Sequence, residues 1–250
     1  MIARQFITEL STKYQTSEQN IAREYCQHLF LSYLYRKKES EKLLFKGGTA
    51  LRIIFSSPRF SEALDFSSCN LSAAAINDLI DSILIDISKE GIDYQKNVNP
   101  DTAGETSGGY YAIVKLKLLE FDSEIRIQVS LRDKEGLKSN TQLVENDFIA
   151  PYAITFLEES ILVREKIQAL LERAKPRDFF DLYFILRSRH LVGYVPKDIS
   201  NLKERIIEIL QNGWEKELKI YLPISYHSLI KDFKERLIKE IEIHIKGFAE

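Results

Sequence analysis

The sequence predicts an α+β protein: a mixed-sheet core with helices, followed by a helical C-terminal domain, with the boundary near residue 150 (1–150 and 151–250). Three observations predict it. Helical periodicity opens the chain, strand-like alternation fills residues 92–130, and helical periodicity returns from about Phe156 to the end.

In order, Ile21 to Tyr35 carries Ile21, Tyr25, Leu29 and Leu34 near helical spacing, widened by Cys26 and Phe30. Leu43-Leu44-Phe45 is a buried strand or a helix end. Gly47-Gly48 interrupts it, and Thr49 to Phe55 reads as a short helix ended by Ser56-Ser57-Pro58. Leu64 to Ser67 is a strand. Ser72 caps a helix running to about Glu90, where Gly91 stops it. Ile92 to Val98 is a strand, and Asn99 to Gly109 a polar loop. Tyr110 to Phe121 and Ser123 to Ser130 pair as strands; in the second, Ile125, Ile127 and Val129 alternate with Glu124, Arg126 and Gln128. The expected later helices are Leu157 to Ala174, Arg177 to Arg189 (after Pro176), Ile199 to Gln211 and Tyr226 to Ile245.

Composition excludes several classes. The 250 residues carry a net charge of −2, so no global basic footprint for nucleic acid exists, although Arg164 to Arg189 holds seven Lys/Arg against four Asp/Glu. No apolar run reaches the length of a bilayer-spanning helix, and the N-terminus lacks a signal-peptide pattern. A cytoplasmic protein with no membrane partner is expected. Cys26 and Cys69 read as free thiols, and His28, His190, His227 and His244 are too scattered for a metal set. Phe179, Phe180, Tyr183 and Phe184 read as helix-packing core.

The stretch that carries chemistry is Lys46 to Ser67, KGGTALRIIFSSPRFSEALDFS. Glycines at a strand-to-helix turn let backbone approach phosphate oxygens, and the helix start offers free N–H groups. Thr49 adds a hydroxyl donor. A following strand returns Asp65 beside that turn, with position 63 on the same face. Two carboxylates there would hold a divalent cation against a nucleoside triphosphate.

Lys46-Gly47-Gly48-Thr49-Ala50-Leu51, then Arg59-Phe60-Ser61-Glu62, then Leu64-Asp65-Phe66, resembles the AbiEii/AbiGii-type toxin nucleotidyltransferases, within the polymerase-beta-like superfamily. The resemblance implies a nucleotidyltransferase-like core. Lys46, Gly47, Gly48, Thr49, Arg59 and Ser61 would bind nucleotide, and Asp65 would hold Mg²⁺. The first carboxylate of the family's Asp-Leu-Asp motif is Ala63 here, and a methyl cannot ligate a metal. Either the chain is a naturally silent member, or alanine was introduced into an active enzyme; the intact remainder of the motif favours the second.

A later string, Glu165-Lys166-Ile167 with Ala169, Arg173 and Arg177-Asp178 with Asp181-Leu182, resembles the family's downstream motif. The resemblance implies that Lys166 contacts triphosphate oxygens and that Asp178 orients a basic partner or acts near the acceptor. Asp181 serves the nucleotide site or braces a neighbouring helix. Arg173 and Arg177 hold phosphate or pair with these aspartates. A third carboxylate could come from Glu124, with Asp122 and Gln128 nearby, and this position stays unassigned.

The implied function is the toxin half of a bacterial toxin–antitoxin or phage-defence pair. It would transfer a nucleoside monophosphate from an NTP to an RNA acceptor, tRNA first, with Mg²⁺ and an antitoxin partner, and this form would be impaired by Ala63. The alternatives are a non-catalytic nucleotide- or partner-binding module and a small-molecule nucleotidyltransferase.

Overall fold

The structure is a computed structural model that describes residues 2–99, 108–131, 136–209 and 213–247. The chain divides into two compact units. One comprises residues 1–56 with 60–158, the other residues 57–59 with 159–250.

The first unit runs α1 (Arg4–Tyr14), α2 (Glu18–Leu34), β1 (Leu43–Lys46), α3 (Gly47–Ile53), β2 (Ala63–Ser68), α4 (Ala73–Lys89), β3 (Asp93–Val98), β4 (Gly109–Leu118), β5 (Phe121–Ser130), β6 (Ser139–Val144) and β7 (Tyr152–Leu157). The segment read as strand or helix end at Leu43 is a strand. Ser17 and Ser72 cap α2 and α4, each accepting from the backbone N–H three residues on. α2 is buried almost all round because it packs against α1, α4, β5 and β7.

The described strands form one sheet in the order β3-β4-β5-β2-β1-β7-β6. β2 runs parallel to β5, and β1 parallel to β7; the other pairs are antiparallel. Alternation gives the sheet two unlike faces. Tyr110, Ala112, Val114 and Leu116 of β4 and Ile125, Ile127 and Val129 of β5 are buried. They face the helix layer, since the Tyr110 hydroxyl donates to Asn77 of α4. Tyr111, Lys115, Arg126 and Gln128 alternate with them on the opposite face.

Two strands escape the sequence reading. β6 is an edge strand of which only Val144 is buried, so no apolar alternation marks it. β7 holds the apolar run that periodicity alone gives in part to the following helix. Of the loop read over Asn99 to Gly109, residues 100–107 lie outside the described residues.

The second unit contains α5 (Glu159–Glu172), α6 (Pro176–Arg187), α7 (Asn201–Ile209), α8 (Trp214–Tyr221), α9 (His227–Lys231) and α10 (Phe233–Lys246). Pro176 sits at the first position of α6, where its missing N–H costs nothing. Phe180 stacks on Phe233 at 6.0 Å, and Tyr183 and Trp214 meet the same ring. Phe179, Phe180 and Tyr183 are buried as the packing core expected of them, and Phe184 is half-buried. The single helix read over Tyr226 to Ile245 is instead a short 3₁₀ turn, α9 and α10, with the break at Asp232. Gln211, the expected end of α7, lies outside the described residues, and α8 has no counterpart in the sequence reading. No helix among the described residues is long and apolar enough to cross a membrane. Both cysteines are free. Burial pushes the Cys26 thiol up to about 12 and holds the His28 ring down at about 3, so neither is a reactive group at neutral pH.

Candidate active site

β1 ends at Lys46, and the chain turns directly into α3 through Gly47, whose φ is +84°. The β1–β2 register sets Lys46 opposite Asp65. A Cβ on Gly47 would lie 2.8 Å from both Cβ and Cγ of Asp65, and closer still to Oδ2. The missing side chain therefore makes room for the Asp65 carboxylate, and the positive φ separately favours glycine. A backbone turn and a carboxylate are thus held in contact.

Gly48 and Thr49 are buried behind this turn. The Thr49 hydroxyl donates to the Ala63 carbonyl, which fastens α3 to β2. The Thr49 hydroxyl, expected to meet phosphate, here meets an acceptor that the protein itself provides. Thr49→Val should cost about 1–2 kcal/mol in urea denaturation, since it strips a buried hydrogen bond without changing volume. An unchanged midpoint would refute the bracing role.

On β2, Leu64 and Phe66 are buried while Ala63 and Asp65 are half-buried on the other face. The parallel β2–β5 register places Arg126 beside Ala63 and Gln128 beside Asp65, and β4 sets Tyr111 beside Gln128. Lys46, Asp65, Tyr111, Gln128 and Ser130 line a cavity of about 340 Å³. Gln128 is the residue that sequence reasoning leaves unassigned; only the sheet register identifies it as Asp65's neighbour. Glu124 is held elsewhere, accepting from Arg126 at 3.3 Å, and Arg126 also reaches Glu62 at 3.2 Å. Asp122 pairs with Lys117 in the β4–β5 ladder, six residues along β5 from Gln128. Ser61 offers its carbonyl to the Gln27 amide at 2.9 Å.

The remaining sequence candidates gather in the second unit. Arg59 is buried and donates two hydrogen bonds to Asp181, at 2.8 and 3.0 Å. Lys166 donates to the same carboxylate at 2.7 Å. Burial pushes the Asp181 carboxyl upward, but the Arg59 guanidinium and then the Lys166 ammonium outweigh it and hold it down at about 2. Arg173 forms a two-pronged pair with buried Asp178, at 2.9 and 2.7 Å. Asp178 also accepts from the Lys175 backbone N–H and so caps α6. Of the readings left open above, bracing describes Asp181, and pairing with an aspartate describes Arg173. Arg59, expected to bind nucleotide, has its guanidinium turned to Asp181.

Magnesium binds through oxygen ligands, commonly one or two carboxylates. Beside Asp65 the lining offers an amide, Gln128, and a lysine, Lys46; Ala63 offers no ligand atom. No group of three or more His, Cys, Asp or Glu among the described residues could hold a metal ion. The residues present do not fit a two-carboxylate magnesium clamp.

A glycine turn set against a strand carboxylate, on a mixed sheet with helices, defines the nucleotidyltransferase class of fold. Two solved structures support that class. A candidate nucleotidyltransferase from Helicobacter pylori is 18% identical with a TM-score of 0.66, over 93% of this chain and 97% of that one. JHP933 from Helicobacter pylori is 17% identical with a TM-score of 0.66, over 94% and 95%. The chain belongs to the AbiEii family, described as "Nucleotidyl transferase AbiEii toxin, Type IV TA system", whose pattern matches residues 29–240. No curated protein matches it. Family membership implies a nucleotidyltransferase toxin that uses an NTP and has an antitoxin counterpart.

Proposed function

We propose that this chain is the toxin half of a toxin–antitoxin or phage-defence pair, built to transfer a nucleoside monophosphate from an NTP to RNA, and that Ala63 leaves this form impaired. In the transfer, an acceptor hydroxyl oxygen bonds to the α-phosphorus, the α–β phosphoanhydride bond breaks, and pyrophosphate leaves. Gly47 and Gly48 bring backbone close to the phosphates, and Lys46 and Gln128 flank them. tRNA is the first acceptor to test. Magnesium enters this reading only with a carboxylate restored at position 63, so no step is routed through it here.

One observation supports the reading above the rest: Asp65 is held against the Gly47 turn with Ala63 two residues away on the same face. The glycine turn supports the nucleotide half of this reading, while the metal half has one carboxylate, Asp65. The same pair of facts, together with Gln128, favours a second reading, a nucleotide- or partner-binding module without catalysis.

The experiment incubates this protein and its Ala63→Asp form with Mg²⁺, each labelled NTP and total tRNA. Label should enter RNA with Ala63→Asp at a rate at least about a hundredfold above the present chain, because loss of a ligand outweighs the 10–100-fold cost of disturbing its supporting shell. Transfer by neither form would move the assignment to the binding module. Equal transfer by both would remove Ala63 as the cause of any impairment.

A further inference from the structure

We propose that Gln128 and Tyr111 form the nucleoside subsite of the candidate active site, with Gln128 hydrogen-bonding a ribose hydroxyl and the Tyr111 ring carrying the base. The inference deepens the nucleotide half of the proposed function and rests on it. Family membership supplies the occupant, since a nucleotidyltransferase takes an NTP. Sheet register sets Lys46 beside Asp65, Asp65 beside Gln128 and Gln128 beside Tyr111, one row across β1, β2, β5 and β4. All four line the same cavity of about 340 Å³. Neighbouring strands lie about 4.8 Å apart, so the row runs roughly 14 Å from Lys46 to Tyr111, the reach of an extended nucleotide. The cavity opens one way from β1. None of its described lining residues comes from β7, the strand on the other side of β1. A triphosphate held at Lys46 and the Gly47 turn therefore sends its nucleoside toward β4.

Each side chain suits the part of the nucleotide it would meet. Gln128 is exposed, and its amide makes no hydrogen bond with another described residue. It offers both a donor and an acceptor to a ribose 2′-hydroxyl, the group that separates ribonucleotides from deoxyribonucleotides. Tyr111 is half-buried, and its ring makes no aromatic contact with another described residue. Gly108 and Gly109 line the same end without side chains, which leaves space beside the ring. An aromatic face accepts any base, because every base has a π-face. The order Lys46, Gln128, Tyr111 along the row thus repeats the order phosphate, ribose, base.

The test titrates the full chain calorimetrically with each NTP, with the matching dNTP and with inorganic tripolyphosphate, which has phosphates and no nucleoside. Tyr111→Ala should weaken NTP binding at least about fivefold, and Tyr111→Phe should retain it, because the ring and not the hydroxyl stacks. Gln128→Leu should weaken NTP binding about two- to tenfold, down to the affinity for dNTP, since the hydrogen bond it removes is the one a deoxyribose cannot make. Tripolyphosphate should bind every variant as it binds the parent, which shows that the fold and the phosphate end are intact. If the parent binds NTP and both Tyr111→Ala and Gln128→Leu bind it as the parent does, the subsite is overturned while the nucleotide reading survives. Equal losses for NTP and tripolyphosphate would place the two residues on the phosphates or in the fold, and would overturn it as well. If Tyr111→Ala leaves NTP binding unchanged but weakens tRNA binding, the β4 end seats the acceptor and the proposal falls. A parent that binds neither NTP nor tripolyphosphate would remove the nucleotide reading, and the subsite with it.

Discussion

Gly47→Ala is expected to destabilise the protein by about 2–4 kcal/mol in urea denaturation and to weaken nucleotide binding with it. Two causes add. The backbone at Gly47 sits at φ +84°, which costs an L-residue roughly 1–2 kcal/mol. The new methyl would then meet Asp65, 2.8 Å from its Cβ and Cγ, with strand backbone on both sides to resist displacement. Gly213 separates the two causes, because it has φ +80° and nothing within 4 Å of its Cβ position. Gly213→Ala should show the backbone part alone. In an Asp65→Gly background, Gly47→Ala should likewise fall to that smaller cost, since the colliding side chain is gone. Equal losses for Gly47→Ala and Gly213→Ala would mean that Asp65 does not rest on the turn, and the site described above would be wrong in its central contact.

This contact is legible in the sequence, for a physical reason. Strand, glycine turn, helix and returning strand follow one another within Leu43 to Ser68, so local pattern suffices to bring Asp65 back beside Gly47. The capped helix after Ser72 and the alternating strand after Ser123 are readable on similar grounds. Longer-range facts are not. The parallel pairing that puts Gln128 beside Asp65 joins strands more than fifty residues apart, and nothing local encodes its register. β6 exposes nearly every residue and carries no pattern to find. The direction of the Thr49 hydroxyl depends on where the Ala63 carbonyl lies, which spacing cannot report. α8 offers only Trp214 and Leu218 as a periodic signal over eight residues, too short to stand out. The downstream charges are the most instructive case. Arginine, lysine and aspartate at helical spacing suit a phosphate site and an internal salt bridge equally well, and only the fold shows that Arg59 and Lys166 converge on Asp181.

That convergence sets the second large effect. Asp181→Asn should cost about 3–5 kcal/mol, the usual loss when one partner of a buried ion pair is removed, because Arg59 stays buried without its carboxylate. Arg59→Met/Lys166→Met/Asp181→Leu should recover much of the loss, since replacing all three charged groups by apolar ones leaves no stranded charge. Acid gives an independent check. The folded-state pKa of Asp181 is depressed to about 2 from an ordinary 3.8, so its contribution is fully present above the ordinary value and is lost as pH falls through the folded one. The parent's unfolding free energy should therefore fall between about pH 4 and pH 2, and Asp181→Asn should lack that component of the decline. Urea titrations across that range measure both effects. If Asp181→Asn unfolds within about 1 kcal/mol of the parent and keeps the parent's acid profile, the cluster is not what holds residues 57–59 to α5 and α6. A variant that is stable but binds nucleotide poorly would return Asp181 to the nucleotide-binding role that the family resemblance implies. The stability of Asp181→Asn thus separates a brace from a ligand at a position where sequence allows both.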